Sequence, residues 1–429
     1  MRKNVTRGWR LLVALGVVNV TLFASYSGVL SVLLPRQIAG LDPTGKVGVL
    51  AAATSISFAV TALAQPLFGA LSDRTRGAWG RRVPWMLAGA LVGGAALGAL
   101  GGTQSIITLI VLWSLAQFAL NATDIAASAY LVDGFPPHRR GTAAGILGLT
   151  AITGGALGSV VAGVASSPPA AAYWILAIAV LAATGVFAVT VRDTPTLSPR
   201  RVLRTREFFR RFIVDPRRHP NFWWVFSWRL FFTLSTGVVQ GYLLYILTDY
   251  LLVADDEAVG IVSEAIVIGG LGVVVSVILS GWLSDKAQRR KPFLLAASVV
   301  VLIADVVPFV APSVTTILVL AGGIGVGLGI SIACGTALAS EVLPHPDTDA
   351  GRGLGLFNVA TNLGQALAPV AAAIVIAWVG YPWLFVTSAV FIVLAALLIL
   401  PVRMDQPSND SQEQEQEQEQ EQQLDSLHR

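Results

Sequence analysis

The chain has 429 residues, 54% of them hydrophobic and only 13% charged, with a formal net charge of +4. A mean hydropathy of +0.69 excludes an ordinary soluble globular protein, and the basic balance reads as a membrane topology signal, not a nucleic-acid one. One cysteine, Cys334, excludes an intramolecular disulfide, and the four histidines fall in predicted loops or the tail. No metal site, cofactor or catalytic constellation is expected, so the chain is not read as an enzyme.

A spanning helix needs roughly 20 consecutive apolar residues. Such runs recur at 11–34, 46–71, 84–101, 105–132, 141–165, 171–191, 221–251, 258–283, 292–311, 314–340, 353–379 and 382–400. The sequence therefore predicts an all-α membrane protein with twelve transmembrane helices. The first run is too long for a signal peptide and lacks a convincing cleavage site, so it is read as helix 1.

Basic residues stay on the cytoplasmic side of a bilayer. With both termini cytoplasmic, all but Arg36, Lys46 and Arg229 of the 29 Lys and Arg residues fall on that face. A multi-pass protein of the cell (inner) membrane is the expectation. The longest internal polar stretch, at 192–220, separates six helices from six. It divides the chain into an N-terminal bundle (1–191), a basic linker (192–220), a C-terminal bundle (221–400) and a Gln/Glu-rich tail (401–429), which cannot build a core. The linker's Arg and Phe residues suit either a segment resting on the inner leaflet or a plain solvated connection.

The two halves repeat each other. "GALSDR" at Gly69 returns as "GWLSDK" at Gly281, 212 residues on, each at the inner end of the second helix of its half. Independently, Gly145 and Gly154 of helix 5 return 210 residues later as Gly355 and Gly364 of helix 11. Duplicated six-helix units are the build of a rocking carrier with its site between the halves.

"GALSDRTRGAWGRR" resembles the inter-helix signature of the major facilitator superfamily. The longer string "QPLFGALSDRTRGAWGRRVPW" (65–85) and "LYILTDYL" (244–251) resemble the glycoside–pentoside–hexuronide cation symporters and sucrose/proton symporters. The resemblance implies two pseudo-symmetric six-helix bundles that expose a central site alternately to each side. It also implies a cytoplasmic gate of Gly69, Asp73, Arg74, Arg81 and Arg82, mirrored by Gly281 and Asp285. Asp73 would face the amino end of helix 11 near Gly353, and Asp285 that of helix 5 near Gly141. There, unpaired N–H groups favour an anion by roughly 0.3–2 kcal/mol per contact. Ordinary inside-positive decoration explains the arginines but not the paired aspartates.

Polar residues also stripe the predicted helices. Gln117, Asn121, Asp124 and Ser128 share one face of helix 4, extended by Trp113 one turn outward. Arg229, Thr233, Thr236 and Gln240 share one face of helix 7, and Asn358, Thr361, Asn362 and Gln365 one face of helix 11. Helix 1 offers Asn19 and Tyr26, and helix 7 also carries Tyr242 and Tyr245. A mid-helix Asp costs about 2.5–3.5 kcal/mol on insertion scales, so Asp124 should meet a cavity or a partner. The resemblance places helices 4 and 7 around the central cavity, with Asp124 and Arg229 expected to face one another directly or through water. The plain alternative is that each satisfies local backbone or loop water. Glu264 could enter the cavity, and Asp305 is expected to be structural.

Aromatics with amides suit a polyhydroxylated ligand, and equally a flat drug-like one. Relatives in the symporter branch place an acid where Asp124 stands, but their sodium site needs acids in helix 2, where this chain has Thr61 and Gln65. Helix 1 also lacks that branch's sugar-binding acid. A proton needs one carboxylate only, so Asp124 is expected to carry it, provided any contact with Arg229 breaks during the cycle. The expected function is proton-coupled transport of a small organic solute, with a sugar or glycoside as one substrate class, by a monomer in the lipid bilayer. Two alternatives stand beside it: a drug or natural-product exporter, and a non-transporting scaffold or sensor. Against export, Gly154-Gly155 replaces the Gly-Pro typical of helix 5 in antiporters, and Trp113 stands near their helix 4 arginine.

Overall fold

The computed structural model describes residues 2–76, 79–165, 169–191, 219–287, 289–342 and 346–402. The side chains of 2–7, 137, 138, 169, 340 and 346–356 lie outside that description. Most of the expected linker and tail (192–218 and 403–429) falls outside it too.

The first half begins with α1 (Arg2–Gly28), continued through a π-turn (Val29–Leu33) into a further helical stretch (Leu34–Leu41). It proceeds through α2 (Lys46–Arg74), α3 (Val83–Leu100), α4 (Ile106–Gly134), α5 (Pro137–Val164) and α6 (Pro169–Thr190). The second half opens with α7 (Pro220–Gln240), which breaks and resumes as Leu243–Tyr245 and a π-turn, Ile246–Tyr250. Then follow α8 (Asp255–Ala287), α9 (Lys291–Val310), α10 (Val314–Glu341), α11 (Pro346–Val379) and α12 (Trp383–Ile399). Among the described residues, ten helices are long and apolar enough to cross a membrane, and the two pieces of α7, bent by 42°, make an eleventh when counted as one span. The twelfth, α12, is apolar throughout but only 17 residues long.

Local chemistry sets the helix starts. Ser105 accepts the Thr108 amide at the head of α4, and Ser313 forms a reciprocal capping box with Thr316 at the head of α10. Helices α3, α5, α7 and α9 begin with proline in the first turn, where its missing N–H costs no hydrogen bond. In the turn before α2, the Gly45 amide and the Thr44 hydroxyl both donate to Asp42 and hold its carboxyl below the usual range.

The helix packing repeats between halves. Helix α1 packs on α5 and α6, α4 on α2 and α3, and α3 on α6; the second half repeats each pair six helices later. The halves meet where α2 packs against α11 and α5 against α8. The duplication reaches atomic contacts. A methyl at Gly154 of α5 would sit 2.3 Å from the Val20 carbonyl oxygen of α1. At Gly364 of α11 it would sit 3.1 Å from the Leu230 carbonyl oxygen of α7. Glycine is needed at both places because two backbones approach closely.

Candidate functional site

Three levels of this bundle carry polar chemistry: the basic end, the middle and the far end. At the basic end, the charges are paired inside each half. Arg82, nearly buried, lies 2.8 Å from an Asp73 carboxylate oxygen and 3.3 Å from Asp133, and donates to Ser72 Oγ at 2.5 Å. Arg81 meets Asp133 at 2.5 Å. The second half rebuilds this cluster. Arg290 lies 2.5 Å from Asp285 and 3.3 Å from Glu341, and donates to Ser284 Oγ at 2.6 Å. The carboxylates expected to reach across to the opposite half are thus engaged by arginines of their own half. Asp73 is a turn-bracing acid here because Arg82, closing the α2–α3 turn, reaches it first. The side chains at the amino end of α11, including Arg352 near Gly353, lie outside the described residues. Arg74 is exposed, and Gly69 and Gly281 have open space where a methyl would go.

In the middle, the α4 stripe does turn toward α2. Asn121 donates to Thr61 Oγ1 of α2 at 3.3 Å and to the Gln117 carbonyl at 2.8 Å. One turn further along α2, Gln65 accepts from Asn362 of α11 at 3.0 Å, a bond joining the two halves. Asp124 is half-buried. Tyr26 of α1 has a hydroxyl sealed from solvent without a partner among the described residues. Trp113 is fully buried in the apolar core, with its indole N–H unpartnered among the described residues.

The described contacts of Arg229 lie within its own half. Its Nε donates to Thr361 Oγ1 at 2.8 Å and its Nη1 to Ser331 Oγ at 2.6 Å, while its guanidinium carbon sits 5.1 Å from the centre of the Phe357 ring. No ion pair links Arg229 to Asp124 among the described residues, because hydroxyls of α10 and α11 hold the guanidinium within its own half. Thr233 and Thr236 are buried, the latter turned onto its own helix, whereas Gln240 and Asn358 are exposed. Glu264 is exposed on α8. Asp305 is fully buried in the second half, accepting from Ser388 at 2.8 Å, which in turn bonds Ser235 of α7.

The far end holds a seam that sequence reasoning missed. Lys46, the first residue of α2, lies 2.8 Å from Asp249 in the π-turn after α7. Tyr381 and Thr248 donate to the same carboxylate, at 2.7 and 3.0 Å. The Lys46 ammonium also sits 4.8 Å from the centre of the Tyr245 ring. Tyr245 donates to the Pro35 carbonyl at 2.9 Å, and the Tyr242 hydroxyl lies 3.0 Å from the Val47 carbonyl. Arg36 and Asp256 add an exposed pair at 3.3 Å. The contacts of Lys46, Pro35, Val47 and Arg36 join the first half to the second, while Tyr381 and Thr248 brace Asp249 from within the second half. The available signal was sparse charge: Arg36 and Lys46 are the only basic residues that the span assignment leaves on that face.

The family model described as Major Facilitator Superfamily matches residues 12–345 and again 254–425. The chain belongs to this superfamily. Two overlapping matches fit a superfamily member built from two like halves. The superfamily fold is equally evident among solved structures. A bacterial homolog of the human lysosomal transporter Spinster, inward-facing and unoccupied, aligns with a TM-score of 0.70 at 16% identity. The same protein, inward-facing and occupied, aligns at 0.67 and 16% identity. Each alignment covers 92% of this superfamily member and 96% of the Spinster chain. No curated protein matches the sequence. As a member of this superfamily, the protein is a multi-pass membrane transporter.

Proposed function

We propose that the protein moves a small organic solute by alternating access, with transport coupled to a proton carried by Asp124. The observation that supports this best is the far-end seam. A lysine–aspartate pair there bridges the two halves, while the charges of the basic end brace turns within each half. A charge-assisted hydrogen bond contributes about 1.5–3 kcal/mol, enough to bias one state and weak enough to break in each cycle.

In this reading the basic end is cytoplasmic and the arrangement is closed to the outside. The substrate cavity lies between the halves, bounded by Gln117, Asn121, Asp124, Arg229, Thr233 and Asn362, with Tyr26 and Asn358 at its margins. A single half-buried carboxylate, with Thr61 and Gln65 as neutral neighbours on α2, favours a proton over a metal cation. The 65–85 string, similar to sugar and glycoside symporters, favours import, and Gly154-Gly155 in α5 weighs against an exporter.

The test is far-end accessibility. In a Cys334→Ala background, Val47→Cys is labelled in proteoliposomes with a membrane-impermeant maleimide. Asp249→Asn and Lys46→Gln should each raise the outward-open fraction roughly 10–150-fold, the equivalent of about 1.5–3 kcal/mol. Labelling that neither variant changes would remove the seam as a gate and, with it, the alternating-access reading.

A further inference from the structure

Arg229 poses a question that the repeat answers. Its counterpart 210 residues earlier is Asn19 of α1, which donates to Thr150 Oγ1 of α5 at 2.9 Å and to the Leu147 carbonyl at 2.7 Å. Arg229 of α7 likewise donates to a threonine hydroxyl of α11, Thr361, one position beyond the counterpart of Thr150. A neutral amide therefore suffices to tie the first helix of a half to its fifth. The positive charge on Arg229 is surplus to that packing role.

The surplus is also uncompensated. A buried membrane charge normally pairs with an opposite charge, yet among the described residues no carboxylate lies within the 4.0 Å ion-pair distance of Arg229. Its protein partners are two neutral hydroxyls and an aromatic ring. Those partners fix the plane of the guanidinium through Nε, Nη1 and the Phe357 face. Among the described residues they leave Nη2 without a hydrogen-bond partner, and the residue as a whole is 9% exposed. A planar, pre-oriented fork with a free edge is the geometry that recognises carboxylate or phosphate.

We infer that Arg229 is the anchor for an oxyanion, and that the transported solute is an organic anion bearing a carboxylate or phosphate group. This rests on the carrier reading above and names its substrate class. The bound anion supplies the missing counter-charge on the second half, while a proton on Asp124 neutralises the first half. The halves then close over a site with no net added charge, which the low-dielectric interior favours.

The experiment uses the full-length protein in nanodiscs. Thermal unfolding is followed against sodium acetate, sodium phosphate and sodium chloride at fixed ionic strength, for the wild type, Arg229→Gln and Arg229→Lys. Salting effects act on all three proteins alike, so the readout is the increment that depends on Arg229. An anchor predicts saturable stabilisation of the wild type by acetate or phosphate over chloride. Apparent affinity should fall at least ~10-fold in Arg229→Gln and fall less in Arg229→Lys, which keeps a point charge. Acetate and phosphate arms separate a carboxylate site from a phosphate site. Identical oxyanion responses in all three proteins, or no response in the wild type, would overturn the proposal. If Arg229→Gln does not fold, Arg229→Lys decides alone, since an unchanged affinity there refutes a fork-shaped site. The far-end labelling assay reports alternating access independently. An anchor failure with labelling intact leaves the carrier reading standing, and a labelling failure removes that reading whether or not anions bind.

Discussion

The two halves share a packing plan and differ in what they hold at the centre. Helices α4 and α10 occupy equivalent places, since Asp133 and Glu341, 208 residues apart, serve equivalent arginines. Yet where α4 carries Asn121 bonded to Thr61, α10 carries Gly329, pressed against Val273 of α8. A methyl on that glycine would sit 2.5 Å from the Val273 carbonyl oxygen. Where α4 carries Asp124, α10 carries Ile332. The second half instead carries a buried charge on α7, Arg229. Duplication thus preserved the scaffold and the turn braces, while the middle diverged into an acidic half and a basic half. Scaffold contacts tolerate little change because backbones touch; the middle can diverge because its contacts are made by side chains.

That division can be tested half against half. The largest effect is expected at the acid. Asp124→Asn should abolish solute-driven acidification of proteoliposomes, by ~100-fold or more, for a solute selected by thermal shift. Intact proton coupling in that variant would show that the first half is not the proton-carrying one. Next come the turn braces. Arg82→Gln, which strips a nearly buried arginine from Asp73, Asp133 and Ser72, should cost about 1.5–3 kcal/mol by thermal unfolding. Arg290→Gln, more exposed and facing more exposed acids, should cost only about 0.5–1 kcal/mol. Equal losses would mean that the two braces carry equal load despite their different burial. The smallest contrast lies at the paired glycines. Gly154→Ala should destabilise by about 1–3 kcal/mol, because its methyl meets a backbone oxygen at 2.3 Å. Gly364→Ala should destabilise less, by about 1 kcal/mol. Its nearest contact is the Thr233 side chain at 2.8 Å, and helix propensity returns about 1 kcal/mol. A reversal of that order would undo the assigned equivalence.

Much of the scaffold is legible from hydropathy alone, because lipid forces every span to be long, apolar and helical. The spans starting at 46 and 314 begin where α2 and α10 begin. The single run read at 221–251 hides a break, since an interruption at Gly241 and Tyr242 leaves no trace in an unbroken apolar stretch. The stripe on α4 is legible through its spacing, and one of its members, Asn121, bonds Thr61 of α2. Partner choice was not legible. Asp124 and Arg229 look like natural partners in the sequence, but Ser331 and Thr361, neutral residues more than 100 positions away, take the guanidinium. Likewise, the pairing of Asp73 with Arg82 depends on how tightly the α2–α3 turn folds back, which periodicity does not encode. Lys46 and Asp249 come together only because a π-turn re-aims the chain after α7, and that distortion has no signature in composition.

The buried chain of Asp305, Ser388 and Ser235 has a mechanical consequence. It fastens α7 through α12 to α9, so the long segment of α7 cannot slide without dragging the peripheral helices along. The joint at Gly241 and Tyr242 lies beyond that fastening, and the short segment past it is held instead by Pro35, Lys46 and Tyr381. A tie-rod in the periphery thus makes α7, α9 and α12 one mechanical unit, with the tip of the lobe tied separately across the seam.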